Sequence, residues 1–175
     1  MNLYLLSGNS FQNKAWIEDV QMVLAETFRE TRIQYYRHWE TGEEVVEFEH
    51  ELGVISENAD FMNGQVVLGK SAGAMLAARA VSEGLIEPAI CVFFGVPLAF
   101  AREHERDIEG VFADFATPTL FIQQTDDPYA SASELRTFLD EVGVHDHTFL
   151  EVPGDDHRYS DLETYAERIT EFVYG

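Results

Sequence analysis

The chain has 175 residues, enough to bury a substantial core, and its 46% hydrophobic and 13% aromatic content excludes a largely disordered protein. Thirty-two acidic residues against 11 basic give a net charge of −21, whose field repels nucleic acid and anionic membranes. No apolar run approaches the ~20 residues of a membrane-spanning helix.

In chain order, Leu3 to Leu6 reads as a short strand and SGNSFQN as the loop after it. Trp16, Ile17, Val20, Val23, Leu24 and Phe28 recur at helical spacing and predict a helix from Ala15 to about Arg29. Arg32 to Tyr36 suits a strand. Val45, Val46, Phe48, Leu52 and Ile55 predict an amphipathic helix over Glu43 to Glu57 with an acidic outer face. Val66 to Leu68 is a strand of the buried kind, and Ala72 to Ser82 a helix. Ala89 to Phe94 and Thr119 to Ile122 read as further strands. Ala132 to Glu141 forms a helix closed by Gly143, a C-cap residue. Thr148 to Val152 is a last strand and Leu162 to Val173 a last helix.

No repeat or linker marks a boundary, so residues 1–175 are expected to form a single domain. Strands with little internal polarity, alternating with amphipathic helices, predict an α/β fold: a compact, mostly parallel sheet of about six strands with helices on both faces. Ligands of such sheets bind at the carboxyl ends of the strands. The polar residues that follow each strand are therefore the candidates for function.

After Val66 to Leu68 comes Gly69-Lys70-Ser71-Ala72-Gly73. In a G-x-S-x-G turn between strand and helix, glycines on both sides let the two elements pass closely, and the serine Oγ stands clear. The following N–H groups, at a helix N-terminus, face developing negative charge. The competing reading is a helix-capping serine in a tight turn. After Thr119 to Ile122 comes QQTDDPYAS, where Asp126 and Asp127 are both candidate acids and Asp-Pro is also turn chemistry. After Thr148 to Val152 comes PGDDHRYSD with His157. The other histidines, His38, His50, His104, His145 and His147, lie where solvated surface roles are expected. The chain order is serine, aspartate, histidine, each after a different strand, as in an α/β-hydrolase. No His, Cys or Asp spacing matches a metal-ligand set, and neither metal nor cofactor is expected.

GKSAGA, PTLFIQQTDDPYAS and LEVPGDDHRYSD resemble the matching segments of small α/β-hydrolases without a separate lid domain. Gly69-Lys70-Ser71, GVPLAF (95–100) and Asp156-His157 resemble the dienelactone-hydrolase-like group that includes testis-expressed-type proteins. Gly8-Asn9 and Thr125 to Pro128 resemble the retinoblastoma-binding-protein-type serine hydrolases. Both resemblances imply that the acid is the residue before the Pro-aromatic pair, Asp127. They imply an α/β-hydrolase fold and a Ser71–His157–Asp127 triad cleaving small ester or related acyl substrates. The backbone N–H groups of Ala72 and Asn9 (or Ser10) then form the oxyanion hole, although Ser7-Gly8-Asn9 replaces the usual His-Gly. Lys70 stands where histidine is common, and an exposed or ion-paired lysine is the expected role. Gly8, Val96, Leu98 and Tyr129 are candidate substrate contacts, with Pro97, Phe100 and Trp39 beside them and Gly95 to Pro118 as the only possible roof. The rival class is a non-catalytic binding module or scaffold on the same fold.

The opening MNLYLLSGNS lacks the basic region and apolar length of a signal peptide. The one cysteine, Cys91, sits in the apolar run AICVFF and is expected in the core. Together these point to a cytoplasmic address. With only Lys14 and Lys70 as lysines, the acidic surface suits either a high-salt interior or an ordinary acidic protein. Self-repulsion at this charge makes stability rise as KCl screens it. A refolding stability that keeps rising to molar KCl marks a high-salt protein; a plateau near physiological ionic strength marks an ordinary one.

Overall fold

The structure, a computed structural model, describes residues 1–113 and 115–175. Among these residues, β1 (Leu3–Leu6), β2 (Thr31–Gln34), β3 (Val66–Lys70), β4 (Ile90–Phe94), β5 (Thr119–Gln124) and β6 (His147–Val152) form one sheet in the order β2-β1-β3-β4-β5-β6. Every neighbouring pair is parallel. Parallel strands need crossovers, and the crossovers here are helices. Alternate residues of each strand feed two separate cores. Leu3, Leu5, Val66, Leu68, Val92 and Phe94 face α1 (Asn13–Leu24) and α9 (Leu162–Tyr174), meeting Ile17, Val20, Leu24, Tyr165 and Ile169. Tyr4, Leu6, Val67, Cys91, Phe93 and Phe121 face the other side. There α3 (Phe48–Glu57), α5 (Ala72–Ser82), α7 (Ile108–Phe112) and α8 (Ala132–Val142) supply Leu52, Ile55, Leu76, Phe112, Leu135 and Phe138. Each such side chain contributes about 1.5–3 kcal/mol on burial. No helix among the described residues is long and apolar enough to cross a membrane.

The strands and α5 fall where the sequence pattern puts them, within one or two residues. Helix α8 starts in a capping box between Ser131 and Glu134 and ends at Gly143 in the left-handed conformation. Three expectations change. Helix α1 stops at Leu24 rather than near Arg29, because the chain turns back and Arg29 N–H bonds the Met1 carbonyl, laying β2 beside β1. Residues 43–47 are not helical: the Asn9 side chain accepts the Val46 N–H at 2.7 Å and donates to the Glu44 carbonyl at 2.8 Å, which ties this bent segment to the loop after β1. The short helices α2 (His38–Thr41), α4 (Ala59–Met62) and α6 (Leu98–Glu103), like α7, fall in stretches too brief for a periodic pattern to show.

Backbone approach fixes the junction of β3 and α5. A Cβ on Gly69 would lie 2.6 Å from Ala74 N, and one on Gly73 would strike the Leu6 carbonyl and sit 2.6 Å from Ser7 O. Gly73→Ala is therefore expected to destabilise by about 1–3 kcal/mol or more, since backbone cannot yield as a side chain can. Gly53→Ala, in mid-α3 with open space around it, is expected to gain up to about 1 kcal/mol. Urea unfolding of both variants checks the contrast.

Candidate active site

The sheet order reverses between β1 and β3, which opens a crevice at their carboxyl ends. Ser71, the residue after β3, stands there with φ 52° and ψ −116°. A residue with a Cβ pays strain for that backbone, of order 1–3 kcal/mol, and keeps it only where packing enforces it. Gly69 and Gly73 provide the enforcement. Ser71 occupies the N-cap position of α5, yet its side chain makes no capping hydrogen bond, so the simple helix-cap reading does not describe it. The Ala72 N–H lies in the first turn of α5, where amides have no intrahelical acceptor.

Asp127 is buried after β5 and accepts three hydrogen bonds. The Tyr129 N–H donates to Oδ1 at 2.9 Å, the Tyr159 hydroxyl to Oδ2 at 2.7 Å, and His157 Nδ1 lies 2.6 Å from the same Oδ2. Burial pushes this carboxyl upward. The hydrogen bond and charge of His157, with the two other donors, outweigh burial and hold it below its ordinary value. An ionised carboxylate only accepts, so Nδ1 carries the proton and Nε2 of the neutral ring is left with its lone pair. That Nε2 is buried and has no hydrogen-bond partner. Asp126, by contrast, is exposed.

His157 must lean back from β6 over the ends of β5 and β4. Gly95, at the end of β4 with φ 55°, makes room: a Cβ there would sit 2.6 Å from His157 Cε1. Two glutamines at the end of β5 tie the loops together, one on each face. Gln123 accepts the Val96 N–H and donates to the Ala130 carbonyl. Gln124 Oε1 accepts the N–H groups of Asp156 and His157, its Nε2 donates to Asp156, and its own N–H donates to the Tyr159 hydroxyl oxygen. His157 and Tyr159 both hold left-handed backbones, φ 59° and 55°.

The loop after β1 is equally fixed. The Asn9 carbonyl accepts from His38 Nε2 at 2.7 Å and Trp39 Nε1 at 2.9 Å, and its side chain is spent on Val46 and Glu44. Among the described residues the Asn9 N–H has no acceptor. His38 is thus a buried support of this loop rather than the surface residue expected from its setting.

A cleft of about 710 Å³ brings together Asn9, Ser71, His157 and Tyr129, with Trp16, Phe100 and Pro128 as apolar wall. Other expected contacts lie elsewhere. Val96 and Leu98 are buried in the core beneath the site, Trp39 packs against that core, and Gly8 abuts the Asn13 side chain. Pro97 does not line the cleft; among the described residues of the 95–118 segment only Phe100 does. Lys70 is neither exposed nor ion-paired: it is 3% exposed and donates to Asn13 Oδ1 at 2.7 Å. Sequence reasoning passed over Gln124, Tyr159, Asn13 and Trp16. The signals were two glutamines extending an apolar strand and a tyrosine in an otherwise polar loop. Among the described residues no group of three or more His, Cys, Asp or Glu side chains is placed to hold a metal ion.

No protein-family model matches the sequence, and no curated protein matches it. Solved structures do match. An uncharacterized protein from Bacillus cereus aligns with TM-score 0.76 and 15% identity over 99% of this chain, which spans only 60% of that one. A monoacylglycerol lipase from Paleococcus ferrophilus aligns with TM-score 0.70 and 12% identity, covering 98% of this chain and 93% of that one. An esterase from Pyrococcus furiosus aligns with TM-score 0.72 and 16% identity, covering 98% and 81%. At such identities the likeness shows the fold: this chain has the compact α/β-hydrolase fold.

Tyr159→Phe removes a donor from Asp127 and leaves the buried Gln124 N–H without its acceptor. A loss of about 1–3 kcal/mol in urea unfolding is expected.

Proposed function

We propose that this protein is a serine hydrolase of the carboxylesterase kind, cleaving small ester or related acyl substrates through Ser71, His157 and Asp127. One observation carries the reading: strained, uncapped Ser71 shares a cleft with His157, whose buried Nε2 is unpartnered while Nδ1 is held 2.6 Å from buried Asp127. The esterase and lipase among the structural neighbours support the same chemistry.

Ser71 Oγ attacks the ester carbonyl carbon and His157 Nε2 takes its proton. Asp127 holds the imidazole in the right tautomer and stabilises its charged form. The tetrahedral oxyanion rests on the N–H groups of Ala72 and Asn9, each contributing about 3 kcal/mol to the transition state. Collapse expels the alcohol, which takes the proton from His157. Water, deprotonated by the same Nε2, then attacks the acyl-enzyme and releases the acid and Ser71. Trp16, Phe100 and Tyr129 are the acyl- and alcohol-side contacts, a wall suited to small, partly apolar groups.

A fluorophosphonate probe is expected to label the wild-type chain and to leave Ser71→Ala and His157→Gln unlabelled. Asp127→Asn should lower the labelling rate by about 10⁴, as wrong-tautomer variants do, while Asp126→Asn should match wild type. Well-folded wild-type protein that resists the probe would favour the non-catalytic binding module.

A further inference from the structure

Lys70 immediately precedes Ser71 and is buried, although lysine is almost never fully buried without a partner. An ammonium has three N–H donors, and three acceptors surround this one. Asn13 Oδ1 lies at 2.7 Å, the Arg158 carbonyl at 3.5 Å, and the Trp16 ring centroid at 4.6 Å. Asn13 and Trp16 stand one turn apart in α1, and Arg158 is the residue after His157. These partners are themselves anchored to both halves of the site. The Asn13 carbonyl accepts Ser7 Oγ in the loop that carries Asn9, and Trp16 Nε1 donates to the Tyr159 carbonyl at 2.9 Å. All of Lys70's donors are thus engaged by protein, which leaves none to bind substrate.

We propose that Lys70 is a positioning residue: its ammonium ties the Ser71 turn to α1 and to the His157 loop, and so sets the imidazole against the nucleophile. The proposal rests on the serine-hydrolase reading for its consequence in catalysis. The tie itself is a statement about geometry and can be tested apart from it.

The charged state of the tie is adjustable. Burial lowers Lys70 to about 8, against the charges of Asp127 and Asp156, which raise it. The other titratable or charged groups that line the same cleft are His157 and Arg158 in the same loop as Asp156, and Asp19 of α1. The Tyr159 hydroxyl is held protonated by burial and by Asp127. Loss of the Lys70 proton leaves two donors for three acceptors and removes the cation–π attraction to Trp16. The folded value lies below the ordinary 10.5, so the unfolded chain binds more protons between pH 8 and 10.5. In that window Lys70's own contribution to stability rises with pH, while the tie weakens. Activity and this stability contribution move in opposite directions, a split that general loosening of the fold does not produce.

Two measurements on the full chain test this. In p-nitrophenyl acetate hydrolysis between pH 6 and 10, wild-type kcat is expected to fall above about pH 8 with KM little changed. Lys70→Met should lower kcat roughly tenfold at pH 7 and abolish that limb. Lys70→Arg, which stays charged, should restore much of kcat and show no fall to pH 10. Independently, NMR of the uniformly ¹³C,¹⁵N-labelled chain resolves the two lysines, assigned with Lys14→Arg, and follows the ring of His157, assigned with His157→Gln. The His157 resonances should shift with the Lys70 midpoint, and that shift should vanish in Lys70→Met. If His157 ignores the Lys70 titration, or if the alkaline limb persists in Lys70→Met, the proposal is overturned. If His157 follows Lys70 but wild-type protein neither hydrolyses esters nor reacts with a fluorophosphonate, the tie stands and the hydrolase reading falls.

Discussion

Backbone meets backbone where α5 leaves β3, and little else in the site could keep its place without that contact. The amides of Gly73 and Ala74 lie against Gly69 and against the carbonyl ends of β1 with no space for a Cβ at either glycine. Helix α5 is thereby pinned to two strands at once. Its first residues cannot relax, so Ser71 stays in a backbone conformation that an isolated turn would abandon. The same contact brings the loop after β1 beside the N-terminus of α5. Close packing of this kind transmits position because it is not continuously deformable.

The opposite wall is held by hydrogen bonds instead. Asp127 accepts from a backbone amide, a phenol and an imidazole, and Gln124 ties the His157 loop through backbone and side chain together. Buried polar networks are costly when incomplete and rigidifying when satisfied. Here the only buried polar atom of the His157 ring without a partner is Nε2, and His157 lines the cleft. The Asp127, Tyr159 and Gln124 groups around the imidazole are committed to one another, while Nε2 and the Ser71 hydroxyl are not, and that pattern underlies the proposed function.

Charge adds a contrast between surface and site. The whole chain carries −21, yet the cleft is lined by Lys70 and Arg158 as well as by Asp19 and Asp156. The acidic surface governs solubility and encounter; the cleft presents an almost neutral, partly aromatic wall. Solved structures with the same fold include an esterase, a lipase and a protein of unassigned activity. The fold thus leaves chemistry to the residues at the strand ends.

Legible in the residues alone are the alternation of strand and helix, the parallel sheet, and the order Ser71, aspartate, His157, each after a different strand, β3, β5 and β6. These are local properties, written in periodicity, in glycines around a turn, and in which polar residues follow apolar runs. The residues that only the tertiary structure could assign depend on what faces them across the fold. Asp126 and Asp127 are adjacent and chemically identical, and burial with three donors distinguishes the second. Val96 and Leu98 follow β4 as cleft residues would, but that chain segment turns inward and the core takes them. Lys70 reads as a surface charge until α1 and the His157 loop close over it. Asn13, Trp16, Gln124 and Tyr159 carry no motif, because their partners are between about 30 and 140 residues away in sequence and long-range partners leave no local pattern to read.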